Sequence, residues 1–360
     1  MKEHCLVTGG SGFIGQHLLA VLTRKGHPVT LLMRQPQALP ALRAQVERLG
    51  GRGELLTALA GDLARPHLGL DAAARERIAQ AAVVFHLGAQ FAWGLSAEQA
   101  RLVNVGGALA VAELAAAQDS RLLLAGGFML ANHGHLRRVG VDLQYPGRTD
   151  WDKVYRRTGA YEGSKLEAHF RVWQRMTELR AALTVVHPAT VCGHSRSGHI
   201  LPAQPLAMLI DNLAAGRLTA IPGSAAHWLP LISVDFLAEL MVAAAFDQQQ
   251  VGQEILALDA ATPNLQDMLR QLAHALEVHA PGWHLPIPLL RALLKIPGLP
   301  RLLHSDAESL DFLQTTRFDT SASQALAQRH RLHWPDIGQA LQATARYLAT
   351  GAPAVPSRSQ

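Results

Sequence analysis

The pentapeptide Tyr161-Glu162-Gly163-Ser164-Lys165 sets a phenol and an ammonium four residues apart. On a helix, that spacing puts both groups on one face. An ammonium beside a phenol favours the phenolate and lowers its pKa, which makes the tyrosine a usable proton donor or acceptor. A second motif, Thr8-Gly9-Gly10-Ser11-Gly12-Phe13-Ile14-Gly15, follows a short apolar run near the start of the chain. Its glycines permit a tight reversal, and their missing side chains open the backbone N–H groups to a pyrophosphate. The negative charge then faces a helix N-terminus. Gly15 allows close packing of that helix on the strand. A third signal is Arg34, which ends the run Leu31-Leu32-Met33-Arg34 with no carboxylate nearby. A dinucleotide site for NAD(H) usually carries an acid there for the ribose hydroxyls. An arginine fork matches a 2′-phosphate, so NADP(H) is expected over NAD(H).

These groups need a scaffold that brings a turn after one strand toward a helix more than a hundred residues later. The pattern supplies one. Apolar runs at 4–7, 29–33, 80–87, 121–125 and 183–187 read as strands, and 16–24, 98–118 and 161–179 read as helices. Alternation of this kind implies a parallel sheet covered on both faces. Right-handed crossovers make the Rossmann-type doubly wound α/β topology the economical one. Past residue 193 the pattern loosens around Pro202, Pro205, Pro222 and Pro230. A further strand at 228–234 and a helix at 235–246 follow, and the remainder reads as mainly helical with a frayed tail from Thr350. The expected division is a cofactor-binding domain at 1–192, completed by about 228–260. Residues 193–227 and 261–360 form the expected substrate region.

Composition narrows the class. Of 360 residues, 49% are apolar or aromatic and only 17% charged, enough for a sizeable core and against disorder throughout. Cys5 and Cys192 make neither a disulfide framework nor a four-cysteine zinc site. The 18 histidines scatter without HExxH context, and His133 and His135 are only two apart, so no metal is expected. The net charge of +5 comes without a long basic run or a base-reading motif, so nucleic acid is not an expected partner. The opening apolar run breaks at glycine and no uninterrupted apolar stretch reaches 18 residues, so neither a secretory signal nor an integral membrane segment is expected. The expected location is cytoplasmic. Between 137 and 157, Arg137, Arg138, Arg148, Lys153, Arg156 and Arg157 outnumber Asp142, Asp150 and Asp152. This is either a basic rim that steers an anionic substrate or a solvated loop of mixed charge. The stretch 283–304 is apolar, basic and proline-interrupted; a small-domain core and a surface lid over a lipophilic substrate are its two readings.

In combination and order, TGGSGFIG, Asp62-Leu63, His86-Leu87-Gly88-Ala89, Asn104-Val105, YEGSK and His187-Pro188-Ala189-Thr190-Val191-Cys192-Gly193 resemble an extended short-chain dehydrogenase/reductase over about residues 4–240. Within that superfamily GDLARPHLGL, YEGSKLEAHFRV and VHPATVCGHSRSG are most similar to the NAD-binding domains of thioester reductases and fatty acyl-CoA reductases, the male-sterility-like group. The resemblance implies catalytic roles for Tyr161 and Lys165. It implies cofactor contacts at Gly9, Ser11, Gly12, Phe13, Ile14 and Gly15, with Arg34 at the phosphate and Asp62 and Leu63 near adenine. Leu87, Gly88 and Ala89 would lie along the ribose, Lys165 would reach the nicotinamide ribose, and Pro188 and Val191 would lie near the carboxamide. Family analogy also implies a homodimer. One departure stands out. The family carries Ser or Thr at the end of the strand before the tyrosine helix, and Gly127 occupies that place here. Three explanations compete: Asn132, His133 or a water supplies the missing hydrogen bond; the substrate carries its own activating group; or hydride chemistry is crippled.

The function these readings imply is reduction of a carbonyl by NADPH, with Tyr161 donating the proton and Lys165 tuning it. An acyl thioester on CoA or a carrier protein, reduced to aldehyde or alcohol, is the specific version. A ketone, a hydroxysteroid-like alcohol or a nucleotide-sugar is the broader alternative. A nucleotide-binding sensor or partner protein with a degenerate site is the reading from another class.

Overall fold

The structure is a computed structural model that describes residues 2–90, 95–293 and 307–351. Residues 294–304 of the 283–304 stretch, and the tail beyond Gly351, lie outside the described residues. Among the described residues the strands are β1 (Cys5–Thr8), β2 (Val29–Met33), β3 (Leu56–Ala60), β4 (Val83–His86), β5 (Arg121–Ala125), β6 (Leu183–Pro188), β7 (Thr190–Cys192), β8 (Ile221–Pro222), β9 (Leu231–Ser233), β10 (Gln253–Ala257) and β11 (His284–Leu285). Seven of them form one sheet in the order β10-β6-β5-β4-β1-β2-β3. The pairings from β6 through β3 are all parallel. The order reverses between β1 and β4, and a doubly wound sheet opens its ligand crevice at such a reversal, beyond the carboxyl ends of the strands. Strands β1, β2, β4, β5 and β6 are buried along their whole length, as helices on both faces require. Edge strand β3 is only partly covered: Leu56 and Leu59, on opposite faces, are buried, and Thr57 and Ala60 are exposed.

Two helices matter most for the site. Ala97–Ala117 is by length and composition apolar enough to cross a membrane. Here it covers the sheet: Val105, Ala108, Val111, Ala112 and Ala115 join Leu6, Val84, Leu122 and Val185 in one core cluster. The second helix, Trp151–Glu178, starts ten residues before the expected Tyr161. Asp150 caps it, its Oδ1 accepting from the Lys153 N–H at 3.1 Å. Gly159, at φ 80° and ψ 172°, breaks it just ahead of Tyr161, so the segment that carries Tyr161 and Lys165 does begin where the sequence pattern begins. Only glycine takes that backbone conformation without strain.

The chain forms two compact units, 1–187 with 238–256, and 188–237 with 257–360. This corrects the expected boundaries. The strand expected at 228–234 is the shorter β9, and it pairs with β7 in the second unit instead of joining the large sheet, so 228–237 do not complete the first unit. Residues 238–256 do, through the remainder of the Val234–Phe246 helix and most of β10. The second unit packs Leu265–Leu276 against Ile337–Thr350 and Pro205–Ala214. Thr350 is the last residue of its helix, which ends on left-handed Gly351, so the fraying expected there has no place up to that residue.

Candidate active site

The glycine motif turns from β1 into the Phe13–Arg24 helix. Gly9 has φ 74°, and a Cβ there would lie 2.6 Å from the Gly88 nitrogen and 2.7 Å from the Leu87 carbonyl carbon. The turn after β1 therefore rests directly on the Leu87-Gly88-Ala89 segment after β4. Thr8 fixes that contact: its Oγ1 lies 2.7 Å from His86 Nδ1 and accepts the Gly88 N–H at 3.3 Å. Gly15 is equally constrained, since its Cβ would meet the Gly9 oxygen at 2.3 Å. Gly12 precedes the helix with extended backbone and no side chain caps the first turn. Ser11 and Gly12 are exposed, and Phe13 folds into the core. The result is a bare main-chain cradle at a helix N-terminus, which fits a diphosphate.

Arg34 stands exposed at the end of β2. Asp62, after β3, accepts the Ala64 N–H at 3.0 Å, which holds the turn that places Leu63. The Leu63 side chain lies against Gly88 and Gly107, where Cβ atoms would sit 2.8 and 2.7 Å from it. Arg34, Asp62, Leu63 and Leu87 to Ala89 thus all follow carboxyl ends of β2, β3 and β4, at the same edge as the glycine turn. Pro188 closes β6, while Val191 belongs to β7 of the second unit.

Lys165 Nζ donates to the Ala125 carbonyl oxygen at 2.6 Å, so the lysine is anchored to the end of β5. Burial lowers its pKa to about 8. Burial also pushes the Tyr161 phenol up to about 12. This corrects the expected direction: desolvation outweighs any help from the ammonium, and the phenol keeps its proton at neutral pH. Behind the pair, Ser164 Oγ donates to the Tyr161 carbonyl at 2.8 Å and Asn104 Nδ2 donates to Ser164 Oγ at 2.9 Å. Asn104 Oδ1 in turn accepts the Gln90 N–H at 2.7 Å. Asn104 sits in a π-helical turn, Arg101–Gly106, inside the apolar helix. The sequence signal for this structural role is an amide among apolar residues in an alanine-rich helix. A cavity of about 10 Å³, the size of one water, is lined by His86, Asn104, Gly126, Lys165 and His169 among others.

Gly127 has extended backbone, φ −165°, and a Cβ there meets nothing within 4 Å. Open space therefore lies where a side chain at position 127 would stand. Gly126 differs: its Cβ would lie 2.3 Å from His187 Nδ1. Asn132 caps the His133–Val139 helix, with Oδ1 accepting the His135 N–H at 2.9 Å, and His133 is exposed. His135 Nε2 meets Glu162 Oε1 at 2.5 Å beside the tyrosine. The six basic side chains of 137–157 are exposed, and none pairs with a carboxylate among the described residues. Arg157 donates to the Arg138 carbonyl at 2.9 Å, gathering part of the group around the end of the His133–Val139 helix. Asp152 is engaged by Arg101 at 2.6 Å, and Asp150 by its capping bond.

Comparison with known proteins fits this geometry. Residues 7–241 match the Male sterility protein family. The chain is 30% identical to the NRPS-like oxidoreductase fscA of Fusarium equiseti over 129 residues, 33% of this chain and 12% of that protein. It spans only 10–12% of the length of the curated relatives it matches. The terminal R domain from the myxalamid PKS-NRPS biosynthetic pathway superposes with a TM-score of 0.74 at 19% identity, covering 96% of this chain and 89% of that one. A thiolation-reductase di-domain from an archaeal non-ribosomal peptide synthetase gives 0.70 at 11%, covering 97% and 75%. At these identities the likeness to the solved structures is one of fold. Because the matched span takes in both the glycine turn and the Tyr161–Lys165 helix, the chain belongs to the Male sterility protein family, oxidoreductases of the extended short-chain dehydrogenase/reductase type that bind a nicotinamide cofactor.

Proposed function

We propose that the protein is an NADPH-dependent reductase of acyl thioesters carried on CoA or a carrier protein. The observation that carries this reading is the pairing of a glycine cradle with a half-buried, protonated phenol: Gly9 against Gly88 at one end, Tyr161 with a pKa near 12 at the other. Bound in that cradle, the nicotinamide nucleotide supplies a hydride. The chain's own residues do the rest. The amides of Ser11 to Ile14 receive the diphosphate, and Arg34 receives the 2′-phosphate in place of the absent acid. Asp62 and Leu63 border the adenine, and Leu87 to Ala89 the ribose. Tyr161 holds a proton for the substrate's carbonyl oxygen; a proton that stays on the phenol at pH 7 suits reduction, where it must be given away. Lys165, fixed by the Ala125 carbonyl, reaches the nicotinamide ribose and carries positive charge near the oxygen that gains negative charge. The exposed cations between Arg137 and Arg157 steer an anionic carrier or CoA. The likeness in fold to an R domain and to a thiolation-reductase di-domain favours a carrier-bound substrate.

Gly127 favours a second reading, in which the protein binds nucleotide without turnover. Purified protein incubated with NADPH and a panel of CoA and carrier-protein thioesters separates the two. Loss of cofactor absorbance, abolished in Tyr161→Phe, supports the reductase. Tight cofactor binding with no turnover on thioesters, ketones or aldehydes supports the sensor.

A further inference from the structure

Three side chains from three elements of the first unit converge behind the β5–β6 corner. They are His169 of the Trp151–Glu178 helix, His187 near the end of β6 and Glu254 of β10. Each offers one ligand atom, and the three atoms lie within 4.8 Å of one another. His187 Nε2 is 2.6 Å from Glu254 Oε2, and His169 Nε2 is 3.8 Å from Glu254 Oε1. The two histidines are 4% and 3% exposed, whereas the Glu254 side chain is 41% exposed. No linear spacing in the sequence shows this group, because 18 and 67 residues separate its members; adjacency of β6 and β10 in the sheet creates it.

Hydrogen bonding accounts for only half of the arrangement. One carboxylate serves His187, but 3.8 Å is too long for a hydrogen bond to His169. The other ring nitrogen of His169, Nδ1, is buried and has no partner. A buried imidazole with neither nitrogen bonded is costly, since a polar group withdrawn from water needs a replacement partner. A cation held by the two Nε2 atoms and the carboxylate gives His169 Nε2 a partner, while the Nδ1 atoms of both histidines stay buried and unpaired. Four ligands at about 2.1 Å in a tetrahedron lie about 3.4 Å apart. The observed separations of 2.6 and 3.8 Å straddle that edge. The half-exposed Glu254 has room to adjust, and the metal takes the place of the proton shared by His187 and Glu254.

We propose that His169 Nε2, His187 Nε2 and the Glu254 carboxylate bind a divalent transition-metal ion of the zinc class. Two imidazoles and one carboxylate suit Zn²⁺, Ni²⁺, Cu²⁺ or Fe²⁺ and disfavour Mg²⁺ and Ca²⁺, which seek oxygen. Entry is from the Glu254 side. Water completes the coordination. The ion ties the helix that carries Tyr161 and Lys165 to β6 and β10. His187 also packs its ring against Gly126, so the ion sits behind the corner where Gly127 leaves open space. The site is independent of which substrate the protein reduces.

The test uses the full chain, stripped with a chelator and titrated with Zn²⁺ by calorimetry. One ion per chain is expected to bind tightly and to raise Tm. Removing one ligand, in His169→Ala, is expected to weaken binding at least about a hundredfold, the upper end of what losing an outer-shell partner costs. Glu254→Gln, a half-exposed position that leaves the fold intact, is expected to do the same, and exposed His274→Ala to change nothing. Co²⁺ loaded in place of Zn²⁺ should give visible absorption bands of low-coordinate cobalt in the wild type and none in His169→Ala. Equal Zn²⁺ affinity and stoichiometry in wild type, His169→Ala and Glu254→Gln would overturn the site.

Discussion

Gly127→Ser is the most informative change at the active site. The backbone there is extended, so serine enters without conformational strain, and its Cβ meets nothing within 4 Å. The fold should therefore be unaffected, with Tm within a degree or two of wild type. The added hydroxyl would project into the open space where the family holds its Ser or Thr. A single donor aimed at a developing oxyanion is worth about 10²–10³ in turnover, or about 2.7–4 kcal/mol. If the missing hydroxyl limits hydride chemistry, kcat for a CoA thioester should rise by up to that factor, read from NADPH absorbance. KM should move little, because the interaction strengthens only in the transition state. Gly126→Ser is the matched control. Its Cβ would lie 2.3 Å from His187 Nδ1 and 2.8 Å from Cε1, so the ring must shift, at about 1–3 kcal/mol of stability. A folded Gly127→Ser protein with unchanged kcat on thioesters, ketones and aldehydes would refute the reasoning. The oxygen's partner would then come from elsewhere or from the substrate itself.

Arg34→Ala should weaken NADPH binding by at least about tenfold and leave NADH nearly unchanged, since a charge-assisted contact to the 2′-phosphate is worth about 1.5–3 kcal/mol; equal losses by fluorescence titration would discredit the role. Lys165, lowered to about 8, should make kcat for reduction flat below pH 7 and falling through about pH 8, while Tyr161, near 12, stays protonated throughout. In Lys165→Arg, whose guanidinium stays charged, that break should vanish. The same shifts act on stability with opposite signs. The unfolded chain holds the Lys165 proton up to its ordinary value of 10.5, so this group's contribution rises with pH between about 8 and 10.5. Tyr161 contributes a fall from about 10 to 12, where the unfolded phenol has already ionised. If the exposed cations steer a carrier protein, Arg138→Glu combined with Arg157→Glu should raise KM for a carrier-bound thioester about tenfold at low salt and leave a neutral thioester unaffected, with the difference shrinking at high salt.

The glycine turn, the alternation of strands and helices, and the Tyr161–Lys165 pair were legible in the sequence because each has a local signature. Gly15 is demanded by the backbone of Gly9 and Gly10 one turn away, Gly9 by its left-handed φ and the Leu87-Gly88 backbone, and the buried strands β1, β2, β4, β5 and β6 read as apolar runs. Strand β3 was missed because an edge strand of Leu-Thr-Ala-Leu-Ala carries little β-branched character. Strand β10, Gln253–Ala257, was missed too; its polar first residues are exposed at the sheet's rim. The reach of β9 depended on which partner it paired with, and no local pattern tells that. Electrostatics was the least legible part. Spacing alone placed an ammonium beside Tyr161, yet the lysine spends a hydrogen bond on Ala125 and burial decides both pKa values. The His169–His187–Glu254 group belongs to the same class, being visible only once the sheet order is known.

The account rests on a nicotinamide nucleotide lying on the main-chain cradle of Ser11 to Ile14, in the turn that Gly9 packs against Gly88. The direct measurement is a calorimetric titration of the wild-type chain and of Gly9→Val with NADPH. At Gly9 any side chain combines φ 74° with a Cβ 2.6 Å from a backbone nitrogen. Saturable micromolar binding at one site per chain in the wild type, lost in a still-folded Gly9→Val, is the expected result. No association at millimolar nucleotide, or equal binding by the two proteins, would contradict it.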